Sequence, residues 1–333
     1  MDQSIRDRFS QSILQEAMNR YSIDDGQIAE LDGFESFIYE YSSDLRDSIL
    51  RIAHSSRRSV ALIEGEVDWI NYLSSCGAPV HQVVPSALGW LIEAIDDGQG
   101  AQFVVTAFTK VRGKPPWELD CGEAYLEHYG QTLGRLHALT KGYVPPQGRG
   151  RRPQWDDPIL QDVQRNLPPT ESLAVARYEA AFQTVRSLPK DRESYGLVHF
   201  DAHQANLLVD EAGVITLFDF DDCAYSWFIG DIAIVLLHAT ATREDRESFT
   251  AGFMPPFLTG YSRENRLDAR WLDQLPHFLK LREIDLYAVI HRSFDVENLD
   301  DWWCERFMNG RKERIERDRP VIDFDFASLA RYL

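Results

Sequence analysis

Cysteine is scarce in this sequence. The 333 residues include four cysteines, Cys76, Cys121, Cys223 and Cys304, and no two of them form a C-x-x-C pair. Disulfide frameworks and zinc knuckles are built from closely spaced cysteines, so the sequence argues against both. Reduced thiols of this kind are typical of cytoplasmic proteins, and we expect that location.

Long apolar runs and an excess of positive charge are also missing. No uninterrupted apolar stretch approaches the ~18 residues of a membrane span, and the charged N-terminus lacks the apolar core of a signal peptide. The 35 basic residues are outnumbered by 53 acidic ones, which gives a formal net charge of −18. We therefore expect neither a nucleic-acid partner nor a membrane partner, and the oligomeric state stays open. The hydrophobic fraction of 44% is enough to bury a core, and the length is enough for two lobes or domains.

Two acidic segments carry the clearest chemical pattern. The first contains His199-x-Asp201-x-x-x-x-Asn206, and the second places Asp219 at the end of a β-branched and aromatic run. In kinase-type phosphoryl transfer, one Asp accepts the proton of the attacking hydroxyl, and an Asn and a second Asp hold the magnesium ions. This chemistry needs Asp201 to face the acceptor while Asn206 faces the nucleotide phosphates, which a short loop can achieve.

The second acidic segment contains three acidic residues, to which we assign different roles. Asp219 is flanked by Phe218 and Phe220, where a carboxylate is costly to bury unless it is paired or bound to a cation, so we interpret it as a metal ligand. Asp221 and Asp222 have two readings of equal weight. One of them assists the metal or substrate, or both are turn acids that bind backbone amides.

Residues 199–206 resemble the catalytic loop H-G-D-x-H-x-x-N of the aminoglycoside phosphotransferase and choline kinase family. Residues 218–222 and the following Gly230-Asp231-Ile-Ala are similar to that family's metal-binding segment and the acidic residue after it. Phe200 stands where the family usually has glycine, and Gln204-Ala205 replace a common Pro-Gly pair. Both departures lie beside the catalytic groups, so they bear on the shape of the acceptor pocket.

The resemblance implies an α+β, protein-kinase-like fold of two lobes. Residues 1–107 would form an antiparallel-sheet lobe that binds the nucleotide, and residues 108–333 a mainly helical lobe with the catalytic groups and the acceptor. The activity implied is transfer of the γ-phosphoryl group of ATP, with magnesium, to a hydroxyl of a small molecule. Asp201 would be the catalytic base, and the acidic residue Asp231 would brace the catalytic loop.

Among the remaining loop residues, Asn206 is expected to join Asp219 as a metal ligand. His203 has two readings of equal weight, a contact with the acceptor or phosphate and a packing role. His137, within a predicted helix, is expected to be a buried histidine with satisfied hydrogen bonds.

The resemblance also implies the nucleotide-binding residues. A basic residue on the third strand, here Arg51, would hold the phosphates, since a guanidinium can grip phosphate with two bonds. Its acidic partner by spacing is Glu66, with Glu64 as the second choice. The turn between the first two strands would cover the phosphates, and the segment near 106–110 would hold the base. The residues expected in these last two places are Gly33 and Ser36 in the turn, and Thr106 and Phe108 in the segment.

Two other functions are compatible with parts of the pattern. A metal-dependent hydrolase is suggested by His199-x-Asp201-x-His203, although this reading leaves Asn206 and Asp219 unexplained. A nucleotide-binding pseudokinase that serves as a partner protein is disfavoured because every acidic catalytic group is present. Acids and aromatic rings in 283–287 and 295–303 have two interpretations of equal weight. They bind a hydroxylated amine as acceptor, such as an aminoglycoside, a choline-like or a homoserine-like compound, or they form a solvated acidic helix end with Trp302 or Trp303 packed in the core.

Periodicity predicts the main elements around these motifs. Helices are expected at 4–22, 58–76 and 123–140, and strands at 28–31, 37–41, 48–53 and 103–108. Residues 143–158 form a loop rich in Pro, Gly and Arg, and a buried helix follows Asp231. The region 246–318 is predicted to be helical, with breaks near Pro255-Pro256 and at 293–301.

Overall fold

The computed structural model describes residues 1–43, 46–148, 150–161 and 163–333. Arg149, which belongs to the predicted Pro-, Gly- and Arg-rich loop, lies outside the described residues. Within the described parts of the chain, every helix is too short or too polar to cross a membrane.

The chain forms two compact units. The N-terminal unit comprises Met1–Gly113, Tyr143–Arg152 and Thr216–Asp221. The C-terminal unit comprises Lys114–Gly142, Pro153–Ile215 and Asp222–Leu333. The division into functional lobes at residues 107 and 108 stays a prediction.

An antiparallel sheet dominates the N-terminal unit. Its strands are β1 Ile28–Leu31, β2 Phe37–Ser42, β3 Asp47–His54, β4 Val83–Val84, β5 Glu93–Asp96 and β6 Gln102–Thr109. The order is β1-β2-β3-β6-β4, and β5 also pairs with β6. Its helices are α1 Gln3–Arg6, α2 Gln11–Arg20 and α3 Val60–Ser75.

The alternation of side chains along β3 sets the two faces of this sheet. Leu50 and Ile52 are fully buried in the core that also contains residues of α2. Because successive strand residues point to opposite faces, Arg51 lies on the other side, where Ala53 packs with Ile63 of α3. The sheet therefore presents Arg51 to the helix that carries its predicted partner.

The prediction of one continuous helix over 4–22 is wrong, because the chain forms two separate helices there, α1 and α2. Ser10 has an extended backbone, with φ of −134°, and separates α1 from α2. Phe9, just before it, stacks on Phe37 of β2 with ring centroids 3.8 Å apart. Docking of this ring on the sheet is a tertiary contact that helical periodicity does not encode.

The C-terminal unit is mainly helical, so the predicted α+β fold class is confirmed. Its helices are α4 Glu123–Thr140, α5 Val163–Asn166, α6 Ser172–Arg186, α7 Phe228–Thr240, α8 Arg246–Ser262, α9 Leu275–Ser293, α10 Trp302–Met308 and α11 Arg311–Glu316. The strands of the later chain are β7 Tyr195–Val198, β8 Leu207–Val209, β9 Ile215–Leu217 and β10 Ala224–Trp227. β7 pairs antiparallel with β10.

The predicted break at Pro255-Pro256 is wrong, because α8 continues through both prolines to Ser262. Proline removes a helical hydrogen bond and clashes with the preceding turn, so the helix needs compensation from packing. The expected gap at 293–301 is confirmed, since α9 ends at Ser293 and α10 begins at Trp302.

Glycines provide that packing between α4 and α8. A Cβ atom on Gly130 of α4 would lie 1.8 Å from the carbonyl oxygen of Phe257, and one on Gly260 of α8 would lie 1.8 Å from that of Glu127. The two helix backbones therefore approach more closely than any side chain allows, and the contact secures α8 in the turn that follows its prolines.

Gly130→Ala is expected to lower the free energy of unfolding by about 1–3 kcal/mol or more, because the new methyl group has no space between the helices. Gly252→Ala is the matched control on α8, since a Cβ there would meet none of the described atoms within 4 Å. Alanine at that position should be neutral or stabilise by up to ~1 kcal/mol. Thermal or denaturant unfolding of both variants measures the difference, and equal stabilities would contradict the close approach.

Candidate active site

The catalytic loop, residues 199–206, connects β7 to β8 in the C-terminal unit. Asp231, in the first turn of α7, accepts hydrogen bonds from the backbone N–H groups of His199 at 3.0 Å and Phe200 at 2.8 Å. Phe200 has a left-handed backbone with φ of 66°, which explains why the related motif has glycine there. Asp231 therefore holds the loop in a left-handed conformation that is unfavourable for Phe200, because this residue has a side chain.

The carboxylate of Asp231 is fully buried and is itself supported. His137 of α4 contacts it through Nε2 at 3.2 Å, and Nδ1 of the same ring lies 2.8 Å from the Tyr261 hydroxyl. Asn265 donates to that hydroxyl at 2.7 Å. His137 is thus a buried histidine with satisfied hydrogen bonds, as expected from the sequence.

Asp201 has both carboxylate oxygens engaged. Oδ1 accepts a bond from Nη2 of Arg282, and Oδ2 accepts one from Nδ2 of Asn206 at 3.0 Å. Nε2 of His203 lies 3.2 Å from Oδ2. Burial alone would raise the pKa of Asp201, but His203 and Arg282 outweigh it and hold the pKa well below its usual range. The group is therefore a carboxylate, the form that can accept a proton.

The same bonds orient the other two loop residues predicted for the site. The backbone N–H of Ala205 donates to Nδ1 of His203 at 3.1 Å, so the ring proton of neutral His203 lies on Nε2, which faces Asp201. Nδ2 of Asn206 donates to the carboxylate of Asp201 and also to its backbone carbonyl, at 2.9 Å. The side-chain oxygen of Asn206 stays outside these bonds, and an amide oxygen is a suitable ligand for a hard cation.

Aromatic rings extend outward from His203. Its ring stacks on that of His238 with centroids 4.3 Å apart, and His238 stacks on Trp303 at 5.7 Å. Burial and the nearby His203 and Arg282 hold the pKa of His238 well below its usual range.

Asp201, His203 and His238 have potential metal-ligand atoms within 4.8 Å of one another, which makes them the candidate metal cluster among the described residues. Lone pairs of imidazole nitrogens lie in the ring plane, however. Rings at an interplanar angle of 27° in a stack do not direct these lone pairs to one point. This geometry disfavours the hydrolase reading.

The predicted pair Arg51–Glu66 is formed in the N-terminal unit. Both guanidinium ends donate to Glu66 at 2.8 Å, and the Glu66 carboxylate is fully buried. Nε of Arg51 donates to the Thr106 hydroxyl at 3.3 Å, and the guanidinium lies 5.1 Å from the centre of the Phe108 ring. Glu64, the second choice, instead accepts from the backbone N–H of Gly150 at 3.2 Å.

Asp221 is surrounded by arginines of the same unit. Arg57 donates to its carboxylate, Nε of Arg58 lies 3.6 Å from it, and Nη1 of Arg51 lies 3.8 Å from it. Arg152 donates to its backbone carbonyl. Burial would raise the pKa of Asp221, but these cations outweigh it and hold the pKa well below the usual range. Asp221 is thus an anchor for guanidinium groups rather than a turn acid bound to amides.

Asp219, two residues earlier, has a different environment. It is exposed and has a left-handed backbone with φ of 61°. Burial would lower the pKa of Arg51, but Glu66 outweighs it and raises the pKa, and the charges of Asp221 and Asp219 add smaller contributions to the rise. Asp219 therefore lies close enough to Arg51 for electrostatic interaction, and its exposure leaves the carboxylate accessible to a cation.

The turn between β1 and β2 contains the remaining predicted residues. A Cβ on Gly33 would lie 2.2 Å from the carbonyl oxygen of Ser36, so the turn closes only with glycine at this position. Ser36 is buried. Glu35 lies 3.3 Å from Nε of Arg57, the same arginine that binds Asp221. Ion pairs thus link the turn to the arginine cluster.

The C-terminal acidic residues that were expected to bind an amine have different roles in the structure. Glu283 is fully buried and paired with Lys280 at 2.7 Å and Arg311 at 2.6 Å, so it holds helices together. Asp301 caps α10 by accepting from the N–H of Cys304 at 2.7 Å. Asp285 instead lines a small cavity of about 40 Å³ in the C-terminal unit.

This cavity borders the catalytic loop. Its wall includes Phe200, which precedes Asp201 in the chain, and Arg282, which binds the Asp201 carboxylate. Asp285 is also part of this wall. Two aromatic side chains, Trp155 and Tyr178, contribute further wall. Its chemistry combines aromatic surface with one carboxylate and one guanidinium.

Several residues of the site were missed by sequence reasoning. Arg282 and His238 lie on helices predicted from hydrophobic periodicity, but periodicity does not say which polar residue faces the loop. Arg57 and Arg58 follow a strand as an ordinary basic pair. Arg152 could have been considered from the sequence, since it belongs to the loop rich in Pro, Gly and Arg.

Comparisons with known proteins agree with this geometry. The sequence profile of the phosphotransferase enzyme family (APH) matches residues 32–273. The chain is 34% identical to amicoumacin kinase of Bacillus subtilis (strain 168), over 96% of this chain and 96% of that protein.

Solved structures show the same relationship. The structure of amicoumacin kinase hAmiN in complex with AMP-PNP, Ca²⁺ and Ami is 34% identical, with a TM-score of 0.92 over 99% of this chain and 100% of that chain. A microcompartment-associated aminopropanol kinase is 24% identical, with a TM-score of 0.74 over 92% of this chain and 97% of that chain, and it shares the fold. The chain therefore belongs to the phosphotransferase enzyme family, which its catalytic-loop motif resembles, and is a small-molecule kinase with a protein-kinase-like fold.

Proposed function

We propose that this kinase transfers the γ-phosphoryl group of ATP, with magnesium, to a hydroxyl of an amine-bearing small molecule. The observation that carries the proposal is the ionised carboxylate of Asp201, oriented by Asn206 and His203 beside a cavity. A positioned carboxylate can accept the proton of an attacking hydroxyl. In this role Asp201 is the catalytic base, and His203 orients it.

Arg51, held by Glu66, binds the phosphates of the nucleotide. The two-point contact with Glu66 fixes the plane of the guanidinium, and a guanidinium fixed in this way loses little entropy when it binds phosphate. Thr106 and Phe108 support Arg51 from the neighbouring strand, and Gly33 and Ser36 shape the turn that covers the phosphates.

The donor atoms available for a metal suit magnesium. Asp219 offers an exposed carboxylate. Asn206 offers its side-chain oxygen, because its hydrogen bonds to Asp201 use only the side-chain nitrogen. Hard divalent cations prefer such oxygen ligands. A bound ion would neutralise charge on the phosphates during transfer. The complex of hAmiN with AMP-PNP and Ca²⁺ supports the proposal that the present protein also uses a nucleotide and a divalent metal ion.

The acceptor is proposed to be a hydroxylated amine, with amicoumacin as the first compound to test. The 34% identity to amicoumacin kinase over nearly the whole chain supports this choice. In the cavity wall, the faces of Trp155 and Tyr178 can attract an ammonium group by cation–π interaction of ~0.5–2 kcal/mol.

ADP release should rise when amicoumacin or another hydroxylated amine is added to the protein with Mg-ATP. Asp201→Asn is expected to lower this acceptor-stimulated turnover by about 10² or more, while nucleotide affinity stays near that of the wild type. Glu211→Gln, the same chemical change at an exposed turn residue, serves as the control. Stimulation only by neutral or anionic alcohols would reject the amine, and full activity of Asp201→Asn would reject the base. ATP consumption that no acceptor stimulates would favour a hydrolase, and nucleotide binding without any ATP consumption would favour the pseudokinase.

Asp219→Asn is expected to weaken the magnesium-dependent part of nucleotide binding by at least about tenfold, because a metal ligand is lost. Calorimetric titration with AMP-PNP, with and without Mg²⁺, isolates this part. Affinity in the absence of Mg²⁺ should change little or improve, since a negative charge is removed near the phosphates. Equal Mg²⁺ dependence in both proteins would contradict the metal assignment.

Arg51→Lys should raise the KM for ATP and lower kcat, because the compact ammonium group keeps the charge but loses the planar two-point contact. Arg51→Ala should be worse and should also destabilise the fold by about 3–5 kcal/mol, since it leaves Glu66 as a buried, unpaired charge. Arg46→Lys at an exposed position is the matched control for kinetics. Normal ATP kinetics in a folded Arg51→Lys variant would place this residue outside the nucleotide site.

A further inference from the structure

The contact between Arg282 and Asp201 occupies the position that a reacting hydroxyl would need. Oδ2 of Asp201 is fixed by groups of its own loop, Nδ2 of Asn206 and Nε2 of His203. Oδ1 is covered by Nη2 of Arg282, which comes from α9, 81 residues further along the chain. A general base needs a carboxylate oxygen within hydrogen-bond reach of the proton that it accepts. Each carboxylate oxygen can accept two hydrogen bonds, so Asn206 and His203 use both positions on Oδ2, and Arg282 takes one of the two positions on Oδ1. A reacting hydroxyl has to approach Oδ1, where the guanidinium lies.

We propose that Arg282 is a latch on Asp201: it covers Oδ1 until an acceptor hydroxyl displaces it, and it thereby couples consumption of ATP to binding of the acceptor. This inference rests on the proposed function, in which Asp201 is the catalytic base. Arg282 acts through Asp201 and is therefore a positioning residue.

The surroundings of Arg282 provide a second place for its guanidinium. Asp285 lies three residues further along α9, and residues at this spacing are neighbours on one helix face. Both side chains line the cavity that borders the catalytic loop. Within the described part of the chain, Nε of Arg282 has no hydrogen-bond partner in the latched state. Asp285 is therefore a carboxylate on the same helix face to which the guanidinium can turn when it leaves Asp201.

The anchoring of α9 does not depend on Arg282. Glu283 on the same helix is fully buried and pairs with Lys280 and Arg311, which fix α9 within the C-terminal unit. The side chain of Arg282 retains 18% of its exposure. Its position at the edge of the cavity fits a side chain that moves, while the neighbouring residue holds the helix.

The latch affects which nucleophile can react. In transfer, the acceptor hydroxyl gives its proton to Oδ1 of Asp201, its oxygen bonds to the γ-phosphorus, and the bond from that phosphorus to the bridging oxygen of ADP breaks. Water at the same position would undergo the same step and produce free phosphate. Arg282 on Oδ1 excludes water in the absence of acceptor, and an acceptor whose hydroxyl approaches Oδ1 can displace the guanidinium toward Asp285.

The test compares two rates in each variant: phosphate release from Mg-ATP alone, and ADP release stimulated by amicoumacin. Arg282→Gln should raise the acceptor-free rate by about tenfold, while the stimulated kcat does not fall and the KM for ATP is unchanged, because Asp201 stays in place and loses only the group that covers it. Arg282→Lys should restore part of the coupling, because it keeps a cation on Oδ1. Arg292→Gln, the same change at an exposed position of α9, should match the wild type.

Asp285→Asn should act in the opposite direction on the acceptor-free rate. Loss of the alternative partner keeps Arg282 on Asp201, so hydrolysis stays at or below the wild-type level while the KM for the acceptor rises. This variant and Arg282→Lys keep the latch testable if Arg282→Gln unfolds, which thermal denaturation would reveal.

An acceptor-free rate in folded Arg282→Gln equal to that of the wild type overturns the latch, whatever the acceptor proves to be. The proposed function fails by a different result, namely wild-type protein in which no hydroxylated compound stimulates ADP release. A parallel loss of both rates in Arg282→Gln, with no recovery in Arg282→Lys, would show that Arg282 only supports the local structure and would also overturn the latch.

Discussion

The buried carboxylate of Asp231 is the interaction on which the catalytic loop depends. It binds the N–H groups of His199 and Phe200 and is supported by His137. A left-handed backbone at a residue with a side chain costs about 1–2 kcal/mol, and charge-assisted bonds to a buried acid can offset it. Because Phe200 turns the chain in this way, the next residue, Asp201, is directed toward Asn206 and Arg282.

Each unit keeps its acids ionised by surrounding them with cations or hydrogen-bond donors. In the N-terminal unit, Asp221 is the centre of an arginine cluster that includes Arg51 and Arg57. In the C-terminal unit, Arg282 and His203 do the same for Asp201. In the mechanism that we propose, such a carboxylate starts out occupied, and a substrate replaces one of its partners. A partner that leaves only for the correct substrate gives selectivity without additional contacts.

Replacement of a motif residue also has a physical consequence in this protein. Phe200, in place of the family's usual glycine, keeps the left-handed backbone and adds a ring to the wall of the cavity. The loop thus accepts a local backbone penalty, and the ring narrows the space beside Asp201. The shape of that space, rather than the catalytic groups, is where this chain differs from the general pattern.

The family, the fold class, the catalytic-loop motif and the pairing of Arg51 with Glu66 were all predictable from the sequence, because these depend on spacing within one loop or along one strand and one helix. The contact of Arg282 with Asp201 and the convergence of four arginines on Asp221 were not predictable and follow from tertiary packing. The same is true of the break before α2 and of the continuation of α8 through two prolines. The physical reason is common to these cases: each depends on which surfaces of distant segments pack together, and a local sequence pattern records the residues of a surface but not what that surface contacts.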